Sequence, residues 1–256
     1  MLGSVKDKNS WIWYASGKHP AVKDYFKVGW EEPRLKAFAT WIEDGYRQLS
    51  AGKDKNVRQN SWRFWAKGSH KMHLICGVGR DSFDSIGRSF PLVIMGTGRL
   101  SNWESHWDLL PVALDKIWHQ IEHVCTKRFL DFKHLADDIQ LMPSPVKEWN
   151  ALNEDGQRAA HHPVKSMPSG NERLPLQKSL SRRQDPLRGI IPLSHVAQEE
   201  QPGEIALLHA MLKEKSRQVP NAVFMGGVPE KTCLVMFGKP LRPDDFSKLW
   251  SACSEV

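Results

Sequence analysis

The chain has 256 residues, 40% hydrophobic and 25% charged, so it can bury a core as one large domain or two small ones. It has no apolar run near the length of a membrane span and no apolar signal segment at its start, so we expect a cytoplasmic location without membrane insertion. The net charge of +7 is spread over 36 basic and 29 acidic residues, which disfavours nucleic-acid binding and leaves it as a weak alternative.

The N-terminal half predicts strands and two long helices. Apolar runs typical of strands occur at 11–14, 61–66, 72–78 and 90–95. We expect residues 15–20 to end the first strand and the last three strands to form a meander. Apolar residues at spacings of three and four predict a helix from Pro33, and a second from about residue 101 to about residue 132, either continuous or broken at Pro111. Nine of the eleven tryptophans precede residue 120, which favours a large aromatic core.

The composition changes between 142 and 202, where eight of the sixteen prolines lie among polar residues. We interpret 139–202 as a flexible proline-rich linker or insertion. The chain then ends with a predicted helix, two strands and a helix, at 203–212, 222–225, 232–237 and 243–250. These last strands either complete the first sheet or form a small second unit.

Together the elements predict an α/β protein with a mixed, largely antiparallel central sheet covered by helices, in a three-layer α/β/α arrangement. Its segments would be an N-terminal domain (1–138), the linker or insertion (139–202) and a C-terminal helix-strand-strand-helix segment (203–256). The cysteines are widely scattered, so we expect free thiols in a reducing compartment at Cys76, Cys125, Cys233 and Cys253.

A polar turn lies between two of the predicted strands, at residues 81–92. Gly87 can adopt a positive φ, so the chain can reverse there. Pro91 lacks an N–H and therefore belongs at the start of a strand. Arg88 is within reach of Asp84, and this pair either locks the turn or faces a partner.

A second polar loop follows the first predicted strand. Gly17 and Pro20 shape its turn, while Lys18 and Asp24 are candidates for a surface beside the 81–92 turn. The simpler alternative is a solvated loop anchored by its aromatic residues. We predict a partner-binding surface made of Lys18, Asp24, Asp84 and Arg88, with no catalytic residue and no cofactor.

One motif supports a different function. His119, Glu122 and His123 match the H-x-x-E-H pattern of inverted zinc peptidases, in which two histidines on one helical turn bind zinc beside a glutamate base. The downstream candidates for a third ligand, Glu199 and Glu200, lie in the proline-rich segment, which is a poor place for a rigid ligand. A zinc-dependent hydrolase is therefore the alternative function, and we assign no metal ligand.

Taken together, the two loops resemble the TagF family of accessory proteins of bacterial type VI secretion systems. The resemblance covers about residues 11 to 130 and includes Gly17-Lys18-His19-Pro20 with Asp24-Tyr25, Phe38 with Trp41-Ile42, Trp62-Arg63-Phe64, and Ser82, Asp84, Gly87, Arg88, Phe90, Pro91 and Leu92. Its structural signature is Gly17, Pro20, Trp62, Gly87, Phe90 and Pro91. Lys23 stands where the family often has glycine, and Asp81 where it has proline.

The resemblance implies a compact α/β fold and a post-translational repressor of type VI secretion that acts by protein contact, in some systems with a forkhead-associated scaffold protein. Forkhead-associated domains read phosphothreonine. The threonines of this chain all fall in predicted elements or at their edges, at Thr40, Thr97, Thr126 and Thr232. We therefore expect the contact to use the folded surface without phosphorylation of this protein.

Overall fold

The computed structural model describes residues 11–50, 59–159, 188–193, 201–216 and 218–252. The strands in these ranges are β1 (Ile12–Gly17), β2 (Phe26–Gly29), β3 (Ser61–Lys67), β4 (His73–Arg80), β5 (Leu92–Arg99), β6 (Arg188–Pro192), β7 (Ala222–Val228) and β8 (Lys231–Phe237). The helices are α1 (Pro33–Ser50), α2 (Leu110–Thr126), α3 (Phe132–Gln140), α4 (Val146–Ala159), α5 (Gln201–Lys215) and α6 (Pro243–Ser251). Two 3-10 turns precede α2, at Trp103–Ser105 and Trp107–Leu109.

All eight strands belong to one sheet, in the order β2-β1-β5-β4-β3-β7-β8-β6. Every pair of neighbours is antiparallel. The predicted α/β class and the meander of β3, β4 and β5 are therefore confirmed. The sheet was predicted to be mixed and largely antiparallel, and among the described strands it is antiparallel throughout. Because β7 pairs with β3, the two C-terminal strands lie in the same sheet as the N-terminal ones.

Side chains alternate between the two faces of each strand, so the sheet buries two separate hydrophobic clusters. On β3, Trp62 and Phe64 contribute to the cluster that also contains residues of α1 and α6, while Trp65 contributes to the cluster with residues of α2, α3, α4 and α5. Nine of the eleven tryptophans are buried, as expected for a large aromatic core.

Two details of the predicted N-terminal elements are wrong, and the structure decides one alternative that the sequence left open. The first strand continues to Gly17, because residues 14–17 pair with β2, a strand that the sequence did not reveal. The second helix ends at Thr126, since Lys127 is extended, and a separate helix begins at Phe132. Pro111 does not break a helix but lies in the first turn of α2, where the missing N–H is tolerated.

The range predicted as a flexible linker contains two ordered elements. The Trp149 side chain, on α4, is fully buried, and its Nε1 donates to the carbonyl oxygen of Ser101 at 2.9 Å. β6 pairs with β8 at the edge of the sheet. The expectation of flexibility is therefore wrong for 146–159 and 188–192, while 160–187 and 194–200 lie outside the described residues.

Two further expectations concern thiols and membranes. Cys76 and Cys125 are buried free thiols, as predicted, Cys233 is buried in β8, and Cys253 lies outside the described residues. None of the helices in the described ranges combines the length and the apolar composition that a membrane span requires.

His209, on α5, is a buried titratable group in the core. Its ring packs against the indoles of Trp65 and Trp107, with centroid distances of 6.1 and 5.7 Å. Trp65 Nε1 donates to His209 Nε2 at 3.3 Å, and His209 Nδ1 lies 2.8 Å from the carbonyl oxygen of Ile205. These contacts suit the neutral imidazole, and burial lowers the pKa of His209 from 6.5 to about 4.

We predict that His209 makes the protein less stable as the pH falls from about 6.5 to about 4, because in this window the unfolded chain protonates the imidazole and the folded chain does not. His209→Gln removes the titration but keeps a polar side chain. It should reduce this loss of unfolding free energy by on the order of 3 kcal/mol. Denaturant unfolding at both ends of the window measures the difference, with the exposed His106→Gln as control. Equal pH dependence in His209→Gln and the unmodified protein would contradict the prediction.

Candidate functional site

The 81–91 hairpin connects β4 to β5. The amide of Gly87 donates to the carbonyl oxygen of Asp84 at 2.9 Å, and Phe83 and Ser89 form an antiparallel bridge. Gly87 has a φ of +83°, which confirms the predicted reversal of the chain at this glycine. Pro91 directly precedes β5, where its missing N–H costs no ladder hydrogen bond.

The carboxylate of Asp84 holds this hairpin together from inside. Its Oδ1 accepts from the backbone amides of Ile86 at 3.2 Å and Arg88 at 2.9 Å. Its Oδ2 lies 3.0 Å from Lys18 Nζ and accepts from Arg88 Nε at 2.7 Å. Asp84 has no exposed surface, so these four contacts replace its hydration.

The charge of Asp84 is stabilised by its partners. Burial alone would raise the pKa of the carboxyl group, but the backbone amide of Arg88 and the cationic groups of Lys18 and Arg88 outweigh burial and hold the pKa well below its ordinary value of 3.8. A buried carboxylate with this many partners stays ionised at neutral pH. The Asp84 and Arg88 pair therefore locks the turn, while the Arg88 side chain remains half exposed.

The structure brings all four residues of the predicted surface together, but it exposes them unequally. The side chain of Lys18 is 12% exposed, whereas those of Arg88 and Asp24 are 50% and 73% exposed. Arg88 Nη2 donates to the carbonyl oxygen of Lys23 at 2.7 Å and lies 3.4 Å from Asp24 Oδ1. Thus Asp24 and Arg88 are accessible to a partner, while Lys18 and Asp84 shape the loops beneath them.

The two loops are also joined through their backbones. The amide of Ser85 donates to the carbonyl oxygen of Val22 at 2.9 Å. Gly17 has a φ of +128°, and a Cβ atom at this position would lie 2.0 Å from the carbonyl oxygen of Pro91. Only glycine allows the β1 end to approach the start of β5 this closely.

The remaining signature residues have structural positions. The ring of Phe90 packs edge-on against Tyr25 and Tyr46, with centroid distances of 5.5 and 5.1 Å. Trp62 is fully buried, and Pro20 is exposed in the loop after β1. Phe90 and Trp62 hold the loops and the sheet in place, so the signature describes a scaffold as well as a surface.

Sequence reasoning missed the role of Asp81. Its Oδ2 accepts from the backbone and side-chain amides of Asn60 at 2.9 and 3.0 Å, and its Oδ1 accepts from Trp250 Nε1 at 2.9 Å. Burial raises the pKa of this carboxyl group, although these bonds oppose the rise. Asp81 therefore links the hairpin to α6. The sequence did offer one signal for this role, since Asp81, a hydrogen-bond acceptor, stands where the TagF family that the sequence resembles has proline.

Sequence reasoning also missed the exposure of two apolar side chains on the hairpin. Phe83 is 50% exposed and Ile86 is 66% exposed. Both lie on the same hairpin as Arg88, within five residues of it in sequence. Exposure of an apolar residue in a turn depends on how the turn packs, which the sequence pattern alone does not indicate.

Two residues of the H-x-x-E-H motif, His119 and Glu122, take part in a polar network around Arg63. Arg63 donates to both carboxylate oxygens of Glu122, from Nε at 2.7 Å and from Nη2 at 2.8 Å, and its Nη1 donates to Asp115 at 3.1 Å. Arg63 Nη2 lies 3.2 Å from His119 Nε2, and His119 Nδ1 lies 2.9 Å from the carbonyl oxygen of Asp115. In this arrangement Arg63 attaches α2 to β3.

This network disfavours a zinc site. Glu122 is paired with a cation, and both ring nitrogens of His119 have partners. No group of three or more potential metal ligands occurs in the described part of the chain, and Glu199 and Glu200 lie outside it. His119 and His123 instead line an open cleft between α2 and α3.

Comparisons with known proteins place these features in a family. Residues 14–140 match the profile of the TagF N-terminal domain, described as type VI secretion system-associated. Comparison with curated proteins gives no match. Among solved structures, the crystal structure of PA0076 from Pseudomonas aeruginosa PAO1 is similar, with a TM-score of 0.52, 16% sequence identity and 96% of each chain covered. At this identity the similarity shows a shared fold, which extends over the C-terminal elements as well.

We predict that Asp84→Asn destabilises the protein at neutral pH, because the amide cannot neutralise Lys18 and Arg88 in a position without exposed surface. The contribution of a carboxylate with a lowered pKa is present above its ordinary value of 3.8 and is lost as the pH falls below it. The difference between the variant and the unmodified protein should therefore shrink in acid. Thermal unfolding near pH 7 and near pH 3 measures it.

The matched control is Asp24→Asn, which changes the exposed carboxylate of the same cluster. Its effect on the melting temperature should be several times smaller, because an exposed ion pair contributes little to stability. Equal effects of the two substitutions would contradict the structural role of Asp84.

Proposed function

We propose that this chain, which belongs through residues 14–140 to the TagF family of type VI secretion-associated proteins, represses type VI secretion post-translationally. It would do so by contact with another protein of the system. The family match is the observation that carries this proposal. A cytoplasmic location follows from this role, since the contact is made with components that face the cytoplasm. The same proposal makes the protein a binding protein rather than an enzyme.

The proposed contact surface contains the accessible pair, Asp24 and Arg88, on loops that Lys18 and Asp84 hold in place. Support comes from their unequal exposure, because a partner can touch only the outer two side chains. The guanidinium of Arg88 is fixed by its bonds to Asp84 and Lys23, so it is already oriented before a partner arrives.

We propose a forkhead-associated scaffold protein as the partner and a contact that needs no phosphothreonine on this chain. The support is the position of the threonines, which lie in regular elements: Thr40 in α1, Thr97 in β5, Thr126 at the end of α2 and Thr232 in β8. Phosphothreonine readers bind their target as an accessible peptide. A residue inside a helix or a strand of the sheet does not offer such a peptide.

The proposed architecture behind this surface is the three-layer α/β/α arrangement. Its support is the division of the core into two clusters, one with residues of α1 and α6 and the other with residues of α2 to α5. The hairpin and the loop after β1 would then lie at one end of the central layer, where both layers of helices leave them exposed.

Deletion of the gene should increase secretion of the tube protein of the type VI system, because a repressor acting by contact would be removed. The measurement is the amount of tube protein in culture supernatant relative to the amount in cells. Restoring the gene should return secretion to its original level. A loss of secretion on deletion would instead indicate an assembly factor and would overturn the repressor assignment.

Binding to the purified scaffold should be weakened in the double variant Asp24→Ala, Arg88→Ala, because both accessible charges are removed. We expect at least a tenfold loss of affinity, measured by titration calorimetry on variants whose circular dichroism shows that they are folded. The matched control is Asp44→Ala, Arg47→Ala, which removes an exposed ion pair of 3.4 Å on α1. Unchanged binding in a folded Asp24 and Arg88 variant would rule out this surface.

A further inference from the structure

The 81–91 hairpin exposes two large apolar side chains to solvent. Large apolar side chains in the described residues are mostly buried, yet Phe83 and Ile86 remain 50% and 66% exposed within one turn. A single exposed apolar residue is ordinary on a protein surface. Two large ones on one short turn, on the same hairpin as a charged residue, are candidates for contact with a partner.

The backbone that carries these side chains is fixed. The carboxylate of Asp84 accepts from the amides of Ile86 and Arg88, and the amide of Phe90 donates to the carbonyl oxygen of Ser82 at 3.0 Å. The bond from Ser85 to Val22 ties the tip to the neighbouring loop. Binding through this hairpin would therefore cost little additional ordering of the backbone, which favours affinity.

The tip is also sterically open. A Cβ atom at Gly87 would meet no atom within 4 Å, so the outer side of the turn is not covered by another part of the described chain. Asp84 directs its side chain inwards, and Phe83, its neighbour in the extended arm, remains half exposed. A partner can reach both apolar side chains without rearrangement of the hairpin.

The charges around the tip favour an acidic partner. Arg88 uses Nε and Nη2 for its contacts with Asp84, Lys23 and Asp24, and within the described residues its Nη1 makes no hydrogen bond. The side chain of Lys23 is exposed beside it. A guanidinium with free N–H groups at one edge is suited to bind a carboxylate.

We propose that Phe83 and Ile86 are the apolar centre of the docking surface, and that they enter an apolar pocket of a protein partner whose rim carries carboxylates for Arg88. This inference rests on the proposed function and deepens it, because it assigns most of the binding energy to the apolar pair rather than to the charges. Interfaces of this type have a buried apolar centre and a polar rim, and a few central residues dominate their affinity.

The first test is binding of the purified forkhead-associated scaffold to the double variant Phe83→Ser, Ile86→Ser. We expect the dissociation constant to rise at least tenfold, and more than for Lys23→Gln, which removes only a rim charge. The matched control is Leu141→Ser, since Leu141 is 80% exposed at the end of α3 and should leave binding unchanged. A dissociation constant within twofold of the unmodified protein would overturn the inference while leaving the proposed function intact.

The second test does not depend on the identity of the partner. A photoreactive amino acid replaces Ile86 in the full chain in secreting cells, and cross-linked products are identified by mass spectrometry, with the same substitution at Leu141 as control. A cross-link from position 86 to a type VI component, whose binding the Phe83 and Ile86 variant weakens tenfold, supports the inference. No cross-link above the Leu141 level, or one only to a second copy of this chain, overturns it. Failure of the scaffold to bind the unmodified protein, together with a supporting cross-link to another component, would reject the scaffold as partner and keep the docking surface.

Discussion

The pairing of β3 with both β4 and β7 is the constraint on which the rest of the structure depends. It makes the N-terminal meander and the C-terminal hairpin parts of one sheet. Gly226, with a φ of +143°, allows the close approach, since a Cβ atom there would lie 2.0 Å from the carbonyl oxygen of Ser61. The ring of Phe64 packs against Phe38 of α1 and Phe224 of β7, with centroid distances of 4.7 and 5.5 Å. Residues beyond the family-matched range thus complete the core that this range begins.

Two carboxylates of the 81–91 hairpin, one with neutral partners and one with cationic partners, connect this hairpin to elements from both parts of the chain. Asp81 accepts from the neutral donors of Asn60 and Trp250, and burial raises its pKa. Asp84, three residues later, is surrounded by cationic groups and amides that lower its pKa. One carboxylate connects the hairpin to α6, and the other connects it to Lys18 after β1. The hairpin is therefore connected both to the loop after β1 and to the C-terminal helix α6.

The sequence indicated the local features of the site but not its burial. A spacing of four residues was enough to predict contact between Asp84 and Arg88, and Gly87 was enough to predict the reversal, because both follow from short-range geometry. The inaccessibility of Asp84 depends on Lys18, which is 66 positions away, and no periodicity predicts such a contact. For the same reason the sequence missed α4. Its burial depends on Trp149, whose partner in the loop before α2 is 48 residues distant.

Burial separates the side chains that fix the shape of the loops from those that a partner can contact. Asp84 and Lys18 are too enclosed to gain energy from a partner, so they can only fix the loops. Asp24 and Arg88 are exposed and can contact a partner, although their ion pair with each other contributes little to the stability of the fold because water screens it. Removing the remaining exposed area of Phe83 and Ile86 from water contributes on the order of 1 kcal/mol for each side chain, and both can be buried together. The hairpin therefore combines a rigid charged base with an exposed apolar tip.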